Sequence, residues 1–157
     1  MADRTEILDL LHELIQTCKD GETGYSHASA IAADLRLKAY FSEESLERAR
    51  FVRELKSESQ RMGEEPDTSP SVAGTLHRLW FEAKADIGLG DQSILNSVEQ
   101  GEDSAKKSYE KALNTQLPDD LRVLIEAQAD SVFAAHDYVR DLRDNGVQQE
   151  TRKREAA

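Results

Sequence analysis

The chain has 157 residues with 31 acidic and 20 basic side chains, giving a net charge of −11. That charge disfavours duplex nucleic acid and anionic membrane surfaces, which carry the same sign. One cysteine, Cys18, excludes an internal disulfide or a thiolate metal cluster, and no apolar run reaches the roughly eighteen residues a membrane span needs.

The first predicted helix runs from about Arg4 to Leu35. Its apolar stripe is Leu8, Leu11, Ile15, Cys18, Tyr25, Ala28 and Ala32, in steps of three or four once Glu22 fills the gap. The stripe keeps its phase across Gly21 and Gly24, so the helix is read as continuous. A second helix is predicted from Ser42, with Glu44 and Glu47 behind the cap, to Gly63; it turns Phe41, Ala49, Val52 and Leu55 inward. GEEPDTSPS reads as a loop. A shorter helix follows from Ser71, carrying Val72, Leu76, Leu79, Trp80, Ala83 and Ile87, and Gly88 and Gly90 end it.

Asp91 is the predicted N-cap of a third long helix, with Ile94, Leu95, Val98, Ala105, Tyr109 and Ala112 facing in. A fourth begins at Pro118, carries Leu121, Ile125, Val132, Ala135, Val139 and Leu142, and ends at Asn145-Gly146. These elements predict an all-α, four-helix bundle over residues 1–145, with a long crossover carrying an extra helix, the connectivity of ferritin-like folds. Residues 146–157 lack apolar periodicity and are expected to be a disordered tail.

An internal repeat supports two helical hairpins of one type. A shift of 80 residues places Gly21 on Gly101, Glu22 on Glu102, Phe41 on Leu121, Arg48 on Gln128 and Val52 on Val132. It also singles out four polar positions within the apolar seams: Glu22, Arg48, Glu102 and Gln128. A carboxylate-bridged dimetal centre needs a Glu from each of two helices and a Glu-x-x-His from each of the other two. Glu22 and Glu102 supply the first pair, but the residues three before the histidines are Asp9, Gly24, Gly74 and Phe133. An arginine cannot coordinate a metal. Glu22, Arg48, Glu102 and Gln128 are therefore expected to form a buried ion-pair network, with Arg48 separating the two carboxylates. The alternative is an iron or manganese site using Glu22, Glu102 and His136. His136 on its own is expected to be a packed core histidine. Cys18 lies on a buried stripe with no neighbouring base and is read as a small hydrophobe. Phosphate-binding loops, nucleophile elbows and paired-cysteine motifs do not occur in the sequence.

Five phrases carry a family resemblance: LIQTCKDGETGY (14–25), RARFVREL (48–55), SVAGTLHRLW (71–80), VEQGEDSA (98–105) and AAHDYVRDLRD (134–144). They resemble, in order, a bacterial family of four-helix-bundle proteins in the ferritin-like superfamily, a domain of unknown function. Glu22, Arg48, Glu102 and His136 fall within these phrases. The resemblance implies a ferritin-like fold and a soluble bacterial protein associated with stress or stationary phase, with no established activity. The expected function is a non-enzymatic, stress-related binding or structural protein without a cofactor. The alternative is a divergent metal-binding oxidoreductase or metal store. The charged opening MADRTEIL lacks the apolar core of a signal peptide, so a cytoplasmic location is expected. A homodimer is the one partner envisaged; nucleic acid and membrane are not.

Overall fold

The computed structural model describes residues 1–66, 90–146 and 155–156. Among these, the long elements are α1 (Arg4–Ile31), α2 (Leu35–Arg61), α3 (Asp91–Leu113) and α4 (Asp119–Asn145). The protein is all-α and forms a four-helix bundle. The expected crossover helix and most of the expected tail lie outside the described residues.

Several helix ends are fixed by specific side chains or by glycine. Asp3 and Glu6 form a reciprocal capping box at the start of α1: the Glu6 amide donates to Asp3 Oδ1 at 2.9 Å, and the Asp3 amide donates to Glu6 Oε2 at 3.1 Å. The helix is unbroken through Gly21 and Gly24, as its phase predicts. No basic residue lies in its last turn, and Lys38 of α2 serves its end instead, donating to the carbonyls of Ser29 and Ala30 at 3.0 and 3.1 Å. Gly63 and Gly146 follow α2 and α4 at φ values of +84° and +82°, the left-handed region that favours glycine.

The α1–α2 turn departs from expectation. The sequence reading ends α1 at Leu35 and starts α2 at Ser42, whereas only residues 32–34 separate the helices. The missed cap is Asp34, whose Oδ1 accepts from the amides of Arg36 and Leu37. The turn contains neither Gly nor Pro and is held from outside. Asp91, expected to cap α3, lies in the first turn of that helix behind Gly90. Its carboxylate crosses to the other hairpin, accepting from the amides of Ala33 at 2.8 Å and Asp34 at 2.9 Å.

Helices α1 and α2 form one antiparallel hairpin, α3 and α4 the other, and α1 packs on α3. Between α2 and α4, Tyr40 and Tyr138 meet edge to face with ring centroids 4.6 Å apart. All six inward residues predicted for α3 and all six for α4 are buried. On α1 the buried residue is Ile7, with Leu8 half-buried; on α2 Phe51 is buried and Ala49 only half-buried. The apolar core divides into two clusters. One joins Leu11, Ile15, Phe51, Leu55, Tyr109, Ile125 and Val132; the other joins Tyr25, Phe41, Leu95, Val98, Val139 and Leu142. A polar layer lies between them.

Candidate functional site

Arg48 and Glu102 form the centre of that layer. Both are completely enclosed, at 1% and 0% exposure, and Arg48 Nη2 lies 2.7 Å from Glu102 Oε1. Space for the arginine comes from α1. The steps from Cys18 to Tyr25 pass through Gly21 as readily as through Glu22, and the fold uses the glycine. A Cβ at Gly21 would stand 3.1 Å from Arg48 Nη1 and 3.5 Å from its Cγ. The Tyr25 ring lies under the guanidinium, 5.4 Å from centroid to Cζ, a cation–π contact. Burial opposes the charge on Arg48, but Glu102 overcomes it and holds the guanidinium pKa above its ordinary value. The pair is an ion pair without full hydrogen bonding. Among the described residues, Arg48 Nε and both Glu102 oxygens have no aligned hydrogen-bond partner.

Glu22, expected beside them, is elsewhere. Its side chain is about 30% exposed and pairs with Lys19 on the same helix at 3.3 Å. Its place beside Arg48 is taken by Glu44, one turn before Arg48 on α2, at 4.0 Å. Burial raises the Glu44 carboxyl to a pKa of about 7, with Arg48 offsetting part of the effect. Glu44 also lines a cleft of about 340 Å³ between α2 and α4, with Tyr40, Glu43, Glu47 and Tyr138. The sequence offered Glu44 only as a first-turn acid of α2. Its position four residues before Arg48, on the same helix face, is the signal that marks it.

Gln128 is buried as expected, but its bonds lead away from Arg48. Its Oε1 accepts from the Tyr109 hydroxyl at 2.8 Å, and its Nε2 donates to Glu54 at 3.1 Å. Tyr109 also meets Cys18 Sγ at 3.1 Å. Burial pushes the Cys18 thiol up to about 11 and the Tyr109 phenol well above its usual value. The four expected residues thus separate into an Arg48–Glu102 pair, a Gln128–Tyr109–Cys18 chain, and an outward Glu22.

His136 is buried at the seam of α3 and α4, where Nε2 lies 2.6 Å from Asp103 Oδ1 and Nδ1 lies 3.1 Å from Asp137 Oδ1. Its bond to Asp137 lowers that carboxyl below the ordinary range. Glu99, one turn before Asp103, is also buried and pairs with Arg143 of α4. Burial raises the Glu99 pKa and Arg143 opposes the rise. Glu99, Asp103 and His136 bring one ligand-type atom each to within 4.8 Å of one another. Sequence reasoning found His136 and missed the two carboxylates. The signal was present: an acid pair spaced i, i+4 on α3 and an adjacent His-Asp on α4.

A dimetal centre of the ferritin-like kind does not fit these residues. The arginine occupies the middle of the bundle, and Glu22, Glu102 and His136 are not brought together as ligands.

The family described as domain of unknown function (DUF2383) matches residues 6–115. The chain belongs to this family. The DUF2383 match spans α1, α2 and α3, and so includes Gly21, Arg48 and Glu102; α4, with Gln128 and His136, follows it. Curated proteins give no match to the chain. Among the described residues, no helix is long and apolar enough to cross a membrane.

Proposed function

We propose that this DUF2383 protein is a non-enzymatic, stress-related binding or structural bundle, in which an arginine–carboxylate pair replaces a dimetal centre. The supporting observation is the enclosed Arg48–Glu102 pair, 2.7 Å apart, between two apolar clusters. A fixed cation neutralises Glu102 without metal, and the pair sets the relative register of α2 and α3. Register setting is a structural task, which suits a scaffold. The acidic charge supports a protein that does not act on nucleic acid.

The competing reading, a divergent iron- or manganese-binding oxidoreductase or metal store using Glu22, Glu102 and His136, requires side chains that lie apart. Aerobic mixing of iron(II) with the full chain separates the two. On the structural reading, oxidation proceeds at the rate in buffer. Acceleration that disappears in a Glu22→Gln, Glu102→Gln double variant would establish the oxidoreductase instead.

A further inference from the structure

The seam of α3 and α4 places an imidazole and two carboxylates from separate helices around one point. We propose that Glu99, Asp103 and His136 bind a single divalent transition-metal cation of the zinc and manganese class, with Asp137 orienting the histidine. This site goes beyond the structural role of the Arg48–Glu102 pair and uses none of its residues.

Four observations carry it. First, the three ligand-type atoms lie within 4.8 Å of one another, and a tetrahedral ion with bonds near 2.1 Å requires ligand atoms about 3.4 Å apart. His136 Nε2 and Asp103 Oδ1, 2.6 Å apart, must open to admit the ion while Glu99 adjusts toward it, movements within the reach of side-chain rotation. Second, Glu99 and Asp103 are one turn apart on α3 and share a face, so both approach from one side while His136 approaches from α4. Third, His136 is oriented as a metal ligand is. A carboxylate stands against each ring nitrogen, Asp137 at Nδ1 and Asp103 at Nε2, so the ring plane is held and a cation at Nε2 would take the place of the proton between that nitrogen and Asp103. A carboxylate on the far nitrogen of a ligating histidine raises its basicity and holds the ring plane. Fourth, Glu99 and His136 are buried at 7% exposure each, while Asp103 is about half-exposed. An ion thus has two enclosed ligands and an open side for entry and water.

The charge around the site favours a dication. Glu99, Asp103, Asp137, Asp141 and Asp144 face Lys106, Arg140 and Arg143. Arg143 competes for Glu99, but it has a second partner in Asp144, at 2.9 Å, to which it can withdraw. The imidazole selects against magnesium and calcium, which prefer all-oxygen shells.

The test is calorimetric titration of the full chain with zinc and with manganese, and cobalt(II) absorption as a direct reading of coordination. One equivalent is expected to bind. His136→Gln and Asp103→Asn should each weaken binding by about 100-fold or more, and Asp137→Asn by about 10- to 100-fold. Arg143→Gln should tighten it, and Glu22→Gln should leave it unchanged. Asp137 is more than half exposed, so its variant reports on the site without threatening the fold. The proposal is overturned if the wild-type chain takes up none of the three metals. It is equally overturned if several equivalents bind and His136→Gln changes nothing, the behaviour of a merely acidic surface. Zinc binding and iron oxidation are read separately, so failure of this site leaves the reading of the Arg48–Glu102 pair intact.

Discussion

Replacing Arg48 with methionine keeps the unbranched stem of the side chain and removes its charge. Glu102, at 0% exposure, then has no cation within the core, and solvent cannot reach it. Glu44, which lies 4.0 Å from Arg48 on α2, is itself acidic and would worsen the imbalance. Removing one partner of a buried pair costs about 3–5 kcal/mol. For a chain of this size that is a fall in Tm of roughly 6–20 °C, or a loss of roughly 1.5–2.5 M in the urea midpoint. Far-UV circular dichroism melts and urea titrations of the two proteins provide the comparison, at an unchanged denaturant slope. A second variant isolates the cause: Arg48→Met with Glu102→Leu removes both charges and should recover most of the loss, since an apolar pair of similar volume is often neutral or stabilising. Glu22→Gln, at the repeat-related but outward position, should stay within about 0.5 kcal/mol of wild type. A loss below about 1 kcal/mol for Arg48→Met, or no recovery in the double variant, would refute an enclosed and mutually dependent pair.

Three further outcomes are expected. Glu44 keeps its proton to a pKa of about 7 in the folded state against 4.5 ordinarily, so its contribution to stability is fully present below about pH 4.5 and is lost as pH rises to 7. Glu44→Gln should therefore match wild type at pH 4 and exceed it by roughly 2–3 kcal/mol at pH 8, and parallel urea curves at the two pH values check this. Gly21→Ala should lower stability by roughly 1 kcal/mol despite the better helix propensity of alanine, because the added Cβ meets Arg48 Nη1 at 3.1 Å. In the Arg48→Met, Glu102→Leu background the same change should stabilise, and equal effects in both backgrounds would show that Gly21 does not serve the arginine. Cys18, with its thiol raised to about 11, should resist alkylation at pH 8 except through unfolding, and rapid labelling of the native protein would place that thiol in reach of solvent.

The long helices were legible because burial repeats along them. On α3 and α4 every inward residue read from the spacing is buried, since the stripes there contain few alternatives. On α1 the same rule failed at Leu8, where Ile7 is buried instead, and again at Glu22, there for a physical reason. Gly21 and Glu22 both fit a three-or-four step between Cys18 and Tyr25, and the choice depends on the volume of an arginine from another helix. The turn at residues 32–34 was illegible for a similar reason: its amides are satisfied by Asp91, which lies 57 and 58 residues further along the chain. The carboxylates around His136 carried a local pattern, but their meeting depends on the pairing of α3 with α4. Periodicity reports which face of a helix is covered, and it does not report which partner covers it.

The near-repetition of the two hairpins gives the Arg48–Glu102 pair a further consequence. Halves related by such a sequence repeat have an available error, in which a hairpin docks on a copy of itself from a second chain. Two α1–α2 hairpins would bring two Arg48 guanidinium groups into one core without Glu102, leaving each with only the more distant Glu44 at 4.0 Å. Two α3–α4 hairpins would enclose a pair of Glu102 carboxylates, with Gln128 at the position of the arginine. Only unlike halves set Arg48 against Glu102. The single asymmetric charge pair therefore joins α2 of one hairpin to α3 of the other and favours the closing of unlike halves.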